Sequence, residues 1–269
     1  MTGALDIGIV RLILVLVFVL LAGIASLRLK LGLERDLLWG TLRTLAQLVL
    51  LAFVLAWIFE VRSWYVVVAI YAAMIFFAAR IIRGRVRSSN VRFFLPVFVS
   101  MLLSYMLVSV FVVGVIVDAT PWYQPEYFLT LGGMIIGNSM NAIAISLDRL
   151  FTDLLQRRGE VELRLLLGAT AREASADITR EAIRAGMIPS INAMMGVGLV
   201  FIPGMMTGQI LAGSDPFVAV KYQIMVMLML VGSTALGSIL VVGLVRSRCF
   251  NREQQLVLAD GTTEKSKRE

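Results

Sequence analysis

The chain has 269 residues, of which 59% are hydrophobic and 16% charged, against roughly 45–50% and about 25% in soluble domains, so a water-soluble globular fold is excluded. It contains no His and a single Cys, Cys249, which removes His- or thiolate-based zinc sites, His-dependent hydrolases and any intrachain disulfide. The formal charge of +7 points to no nucleic-acid partner here, because in so apolar a chain the placement of Lys and Arg reports topology.

Apolar windows run over 7–27, 37–59, 64–82, 93–117, 127–147, 187–212 and 217–245, and each is long enough to cross a bilayer, which takes about 20 residues. The expected fold is an all-α integral membrane protein of about seven transmembrane helices. The connection 28–35 carries three basic residues, 80–92 five (Arg80, Arg83, Arg85, Arg87, Arg92), 149–184 seven, and the stretch after Val245 six, including Lys265, Lys267 and Arg268. Between them, 60–63 carries only Arg62, while 118–126 and 213–216 carry none. The positive-inside rule then places the N-terminus outside and the C-terminus in the cytoplasm. Trp57, Trp64, Tyr65, Trp122, Tyr123, Tyr127 and Tyr222 fall at the outer interface of that topology, where amphipathic rings sit. The first span reads as an uncleaved anchor, and the multi-pass pattern implies the bacterial cytoplasmic membrane. Residues 1–245 form the membrane domain and 246–269 a polar cytoplasmic tail, expected to be disordered.

Several polar groups fall inside these spans. Arg43 and Gln47 lie one turn apart in the second, where they line the substrate path or hold a partner helix, or Arg43 snorkels to the inner surface. The fifth span contains Gly133-Met-Ile-Ile-Gly137-Asn138-Ser139-Met140-Asn141, and the sixth Pro203-Gly204-Met-Met-Thr-Gly208-Gln209. Glycines four apart let another backbone approach closely, and Pro203 frees a carbonyl in mid-membrane. Two readings stay open: helix packing alone, or a substrate path lined by Asn138, Asn141 and Gln209 with Asp148 and Asp215 at its two ends. Asp215 followed by Pro216 is also a helix start signal. The methionines around these glycines read as packing or as soft-cation ligands.

The 148–186 connection is the one large polar segment, and Leu163, Leu167, Ala174, Ile178 and Ala182 give it an amphipathic helical spacing. Within it Glu162, Gly168 and Ile178 resemble the coupling motif of ABC transporter permeases, although its closing proline is replaced by Glu181. With GNSMNAIAISLDRL (137–150), LLLGAT (165–170) and PGMMTGQILAGSDPFVAVKYQI (203–224), the chain resembles the FetB-type ABC permease family of iron-export and plant aluminium-tolerance permeases. The resemblance implies a separate ABC ATPase subunit that binds ATP and Mg, coupling through Glu162, Gly168, Ala169 and Ile178, and export of iron or a related substrate. The apolar spans imply contact with membrane lipid, and because seven spans are few for a complete ABC pathway and the glycine elements offer faces for close helix contact, a permease homodimer is expected.

No GxxxxGK[ST] sequence occurs, so the chain is not itself expected to hydrolyse ATP, and it is expected to hold no cofactor of its own. The alternatives are an ATP-independent secondary transporter or channel, and an ABC permease for a nucleotide sugar. An intramembrane enzyme fits poorly, because no nucleophile and base pairing or dense carboxylate cluster is visible in the spans.

Overall fold

Residues 8–86 and 91–258 are described by the computed structural model; Arg87 and the polar tail at 259–269 lie outside them. The elements are α1 (Ile9–Leu14), α2 (Leu16–Arg28), α3 (Glu34–Val61), α4 (Trp64–Arg85), α5 (Phe94–Phe111) with a π-helical turn at Val112–Ile116, and α6 (Pro125–Gln156). They continue as α7 (Arg158–Leu166), α8 (Ala171–Ala174), α9 (Ala176–Gly196), α10 (Gly204–Leu211) and α11 (Pro216–Arg248). Among the described residues only two isolated bridges interrupt this all-α architecture.

The helix boundaries follow local chemistry. The α11 N-cap is Asp215, whose Oδ1 accepts from the backbone N–H of Phe217 at 2.9 Å and Val218 at 3.2 Å, with Pro216 at the first helical position, where its missing N–H costs nothing. Pro125 opens α6 in the same way. A capping box between Thr170 and Glu173 starts α8.

Among the described residues six helical stretches are long and apolar enough to cross a membrane: Val10–Arg28, Glu34–Val61, Trp64–Arg85, Phe94–Ile116, Pro125–Gln156 and Pro216–Arg248. The expected span at 187–212 is not one helix. There α9 ends at Gly196, residues 197–203 leave the helical ladder, and α10 resumes at Gly204. Pro203 has no N–H to continue a helix, Gly198 adopts a left-handed φ of +81°, and the Gly198 N–H bonds forward to the Phe201 carbonyl at 3.0 Å.

Helix α6 is the pillar, packing against α4, α5, α9 and α11 and burying Phe128, Leu131, Ile135, Ile143, Leu147 and Leu150. Three crossings rest on glycine. A Cβ on Gly132 would run into the Tyr71 ring, one on Gly186 into the Ser146 hydroxyl and the Ala142 carbonyl, and one on Gly237 into the Tyr105 hydroxyl. The GxxxG glycines expected to do this work mostly do not, since Gly137, Gly204 and Gly208 have open space where a Cβ would be, and Gly133 meets only the tip of Met74. The α2 and α3 helices pack on each other and bury only Ser26 and Ile58 between them, with the Ser26 hydroxyl accepting from the Leu33 N–H at 3.0 Å to hold the turn.

Candidate functional site

Asn138 sits on α6 where three helices meet. Its Nδ2 donates to Ser190 Oγ on α9 and to Thr234 Oγ1 on α11, both at 3.0 Å, and Ser139 Oγ lies 3.3 Å from the same Thr234 hydroxyl. This amide therefore ties α6, α9 and α11 together inside the apolar bundle. It also faces a pocket of about 270 Å³ whose wall includes Ser190, Phe201, Pro203, Gly204, Met205 and Gln223.

Asn141 lies in a second pocket, of about 520 Å³, with Arg85, Asp148, Arg149, Thr152 and Ala185. Its Oδ1 accepts from Arg85 Nη1 at 2.7 Å. Spacings of three, seven and four residues put Asn138, Asn141, Asp148 and Thr152 on one face of α6, so the two pockets follow one another along that face. Across from it, Pro189 leaves the Ala185 carbonyl without its helical donor. Arg149 is held by Asp153 at 2.8 Å.

The other candidate path residues are elsewhere. Gln209 lies on α10 outside both pockets, with its buried amide oxygen unpaired. Asp215 is occupied as the α11 cap. Arg43 and Gln47 are exposed on α3, which packs mainly against α2 and touches α6 only lightly. Spacing along the sequence could not separate these positions, because each is simply a polar residue in or beside an apolar run. The pocket residues Arg85, Ser190 and Gln223, and the Asn138 partner Thr234, went unread for a complementary reason. Gln223 carried the same signal as Asn138, an amide in an apolar run, whereas Ser190 and Thr234 are small hydroxyls common in membrane helices.

The polar end of the bundle carries the coupling candidates. Glu162, Gly168 and Ala169 line a cleft of about 710 Å³ shared with Arg158, Thr170 and Gln254. Gly168 takes a φ of +93°, a conformation that lets α7 turn sharply into α8 and that a side chain would oppose. The turn thrusts Leu166 and Leu167 outward, at 85% and 80% exposure. Glu162 is paired with Arg158 at 2.7 Å, and Glu160 accepts from Arg157 and Arg164; the Arg157 contact holds the Glu160 carboxyl below the ordinary range. Ile178 is buried in the core at the base of α9 and offers no contact surface. Residues 249–258 fold back on the cleft through a Phe250 to Leu256 bridge, and Gln254 Oε1 accepts from the Ala171 N–H at 2.6 Å. Burial pushes the Cys249 thiol up to about 12, so it carries no thiolate at neutral pH.

Among the described residues no group of three or more His, Cys, Asp or Glu side chains is placed to hold a metal ion. The profile of the uncharacterised protein family UPF0014 matches residues 9–250. The chain belongs to UPF0014. Similar UPF0014 proteins include a membrane protein of Synechocystis, 38% identical over 85% of this chain and 88% of its own length. The Escherichia coli relative named probable iron export permease protein FetB is 33% identical over 92% and 94%, and the Arabidopsis protein ALUMINUM SENSITIVE 3 is 31% identical over 93% and 90%. No solved structure matches the sequence. The UPF0014 match spans both pockets and the α7–α8 turn, so the broken passage and the turn lie within the family region.

Proposed function

We propose that this UPF0014 chain is the membrane permease subunit of an ABC exporter, driven by a separate ATPase that docks on the α7–α8 turn and binds ATP and Mg. The observation that carries the reading is that turn: a left-handed Gly168 holding two almost fully exposed leucines off the polar end of the bundle, the kind of apolar anchor that enters a partner's pocket. Substrate moves along the α6 face from the Asn141 pocket to the Asn138 pocket as the bundle alternates between two states. The name of the Escherichia coli relative supports iron, or a substrate linked to it, as the cargo. The open position at Gly137 and the little-buried α2–α3 pair leave faces for a second permease chain, giving a homodimer.

The experiment that tests the coupling is Gly168→Val in vesicles containing both subunits. A β-branched residue resists φ near +93°, so the turn reshapes while the transmembrane core is untouched. ATP-driven transport is expected to fall at least tenfold with normal membrane insertion. Native transport by the variant would remove the turn from the mechanism.

The same proposal sets the orientation, with the basic end in the cytoplasm of a bacterial cell. Cysteines introduced at Arg158 and Gln124 in a Cys249→Ser background are expected to react only with cytoplasmic and only with external reagent, respectively. The reverse pattern contradicts the assignment. In the unmodified chain Cys249 is buried and stays unlabelled until the protein is denatured.

A further inference from the structure

We infer that the Asn138 pocket takes a small hydroxy acid, free or as a metal chelate, and not a bare metal cation. The inference rests on the path reading of that pocket and names its substrate class. Three features of the wall carry it. The first is the break at 197–203, because backbone off the helical ladder at membrane depth is tolerated where it lines a cavity or is covered by protein. The second is the start of α10, where Pro203 supplies no side-chain cap and the first turn holds no acidic residue. Pro203, Gly204 and Met205 all line the pocket, so the unpaired first-turn N–H groups and the positive end of the helix belong to its wall. Such an end binds an anionic or acceptor group and repels a cation.

The third feature is Gln223, which is only 7% exposed, lines the same pocket, and has an amide oxygen with no hydrogen-bond partner. A buried acceptor left this way is costly unless a ligand brings a donor. A carboxylate for the α10 N-terminus and a neighbouring hydroxyl for Gln223 Oε1 meet both needs, and that pair of groups defines a hydroxy acid. Phe201, Met134 and Val226 close the pocket with apolar surface. The walls include no carboxylate, the ligand a hard cation needs. The approach agrees, since in the Asn141 pocket Arg85 is paired with a neutral amide, leaving its charge to meet an acid beside Asp148 and the Asp153-bound Arg149. A volume of about 270 Å³ suits a molecule of this size and is small for a nucleotide sugar.

The test uses the full chain in lipid nanodiscs, titrated calorimetrically with citrate, ferric citrate, tricarballylate (the same carboxylates without the hydroxyl) and ferrous ion alone. Citrate, ferric citrate or both are expected to bind, the preference separating free acid from chelate, with tricarballylate about tenfold weaker for want of one hydrogen bond. Gln223→Leu should lower citrate or ferric citrate to the tricarballylate level. Gly204→Leu should abolish binding with the fold retained, because its side chain enters open space at the pocket wall; it decides the matter if the Gln223 variant does not fold. The inference is overturned if neither hydroxy-acid ligand binds, if binding ignores Gly204→Leu, or if ferrous ion alone binds in a Gln223-dependent way. Binding as expected in a chain whose transport ignores Asn138→Leu would keep the pocket and refute the path. Asn138-dependent transport without hydroxy-acid binding would refute this inference alone.

Discussion

Gly186→Val is expected to prevent α9 from seating on α6, so that the variant is lost from the membrane or elutes as aggregate, whereas Gly208→Val yields native amounts of monodisperse protein. The difference is geometric. A Cβ at Gly186 would lie far inside contact distance of the Ser146 hydroxyl and the Ala142 carbonyl oxygen, and a backbone carbonyl inside a packed helix cannot swing away. The overlap is relieved only by moving α9, which also carries Ser190 and leads to the break at 197–203. Overpacking a well-filled core costs about 1–3 kcal/mol or more, and here it falls on a pair of helices in extensive contact. Gly208 has open space where its Cβ would be, and Val is the better helix former of the two residues, so the same change there costs nothing in packing or in propensity. Size-exclusion profiles of the two variants, expressed side by side, check the contrast.

Asn138→Leu should reduce transport at least tenfold while lowering thermal stability only modestly. The substitution removes both hydrogen bonds that join α6 to Ser190 and Thr234. Interhelical hydrogen bonds in membranes average about 0.6 kcal/mol and reach roughly 1.7, and Leu recovers part of that through apolar packing. A loss of activity far larger than the loss of stability marks a residue used along the path, and it is read by comparing initial transport rates with melting temperatures of the same preparations. If the two fall together, or neither falls, Asn138 is a packing element.

These expectations show where sequence reasoning reached and where it stopped. Long apolar windows and the Asp215 and Pro216 start signal were legible because each is written in contiguous residues. The passage at 187–212 reads as one span because its composition is apolar throughout, and composition does not register that Pro203 and a left-handed Gly198 interrupt the ladder. The packing glycines were misassigned for a related reason. GxxxG spacing identifies a smooth helix face, but which glycine meets a neighbour depends on helix rotation, and rotation is set by partners such as Tyr71, Ser146 and Tyr105 that are distant in sequence. The pairing of Arg85 with Asn141 spans 56 positions and joins α4 to α6, so no local pattern announces it. Asn138 was readable as an amide needing a partner, and only the fold names Ser190 and Thr234 as those partners.

The central claim, that this chain works as the permease of an ABC exporter through its α7–α8 turn, is tested most directly by native mass spectrometry from lipid nanodiscs after co-expression with the cognate ABC ATPase. The expected species contains two permease chains with bound ATPase subunits, and it is lost when Leu166→Asp and Leu167→Asp are introduced together, because both leucines lie exposed at the proposed docking surface. Permease chains that appear only without ATPase, or a complex indifferent to those two substitutions, would contradict the account.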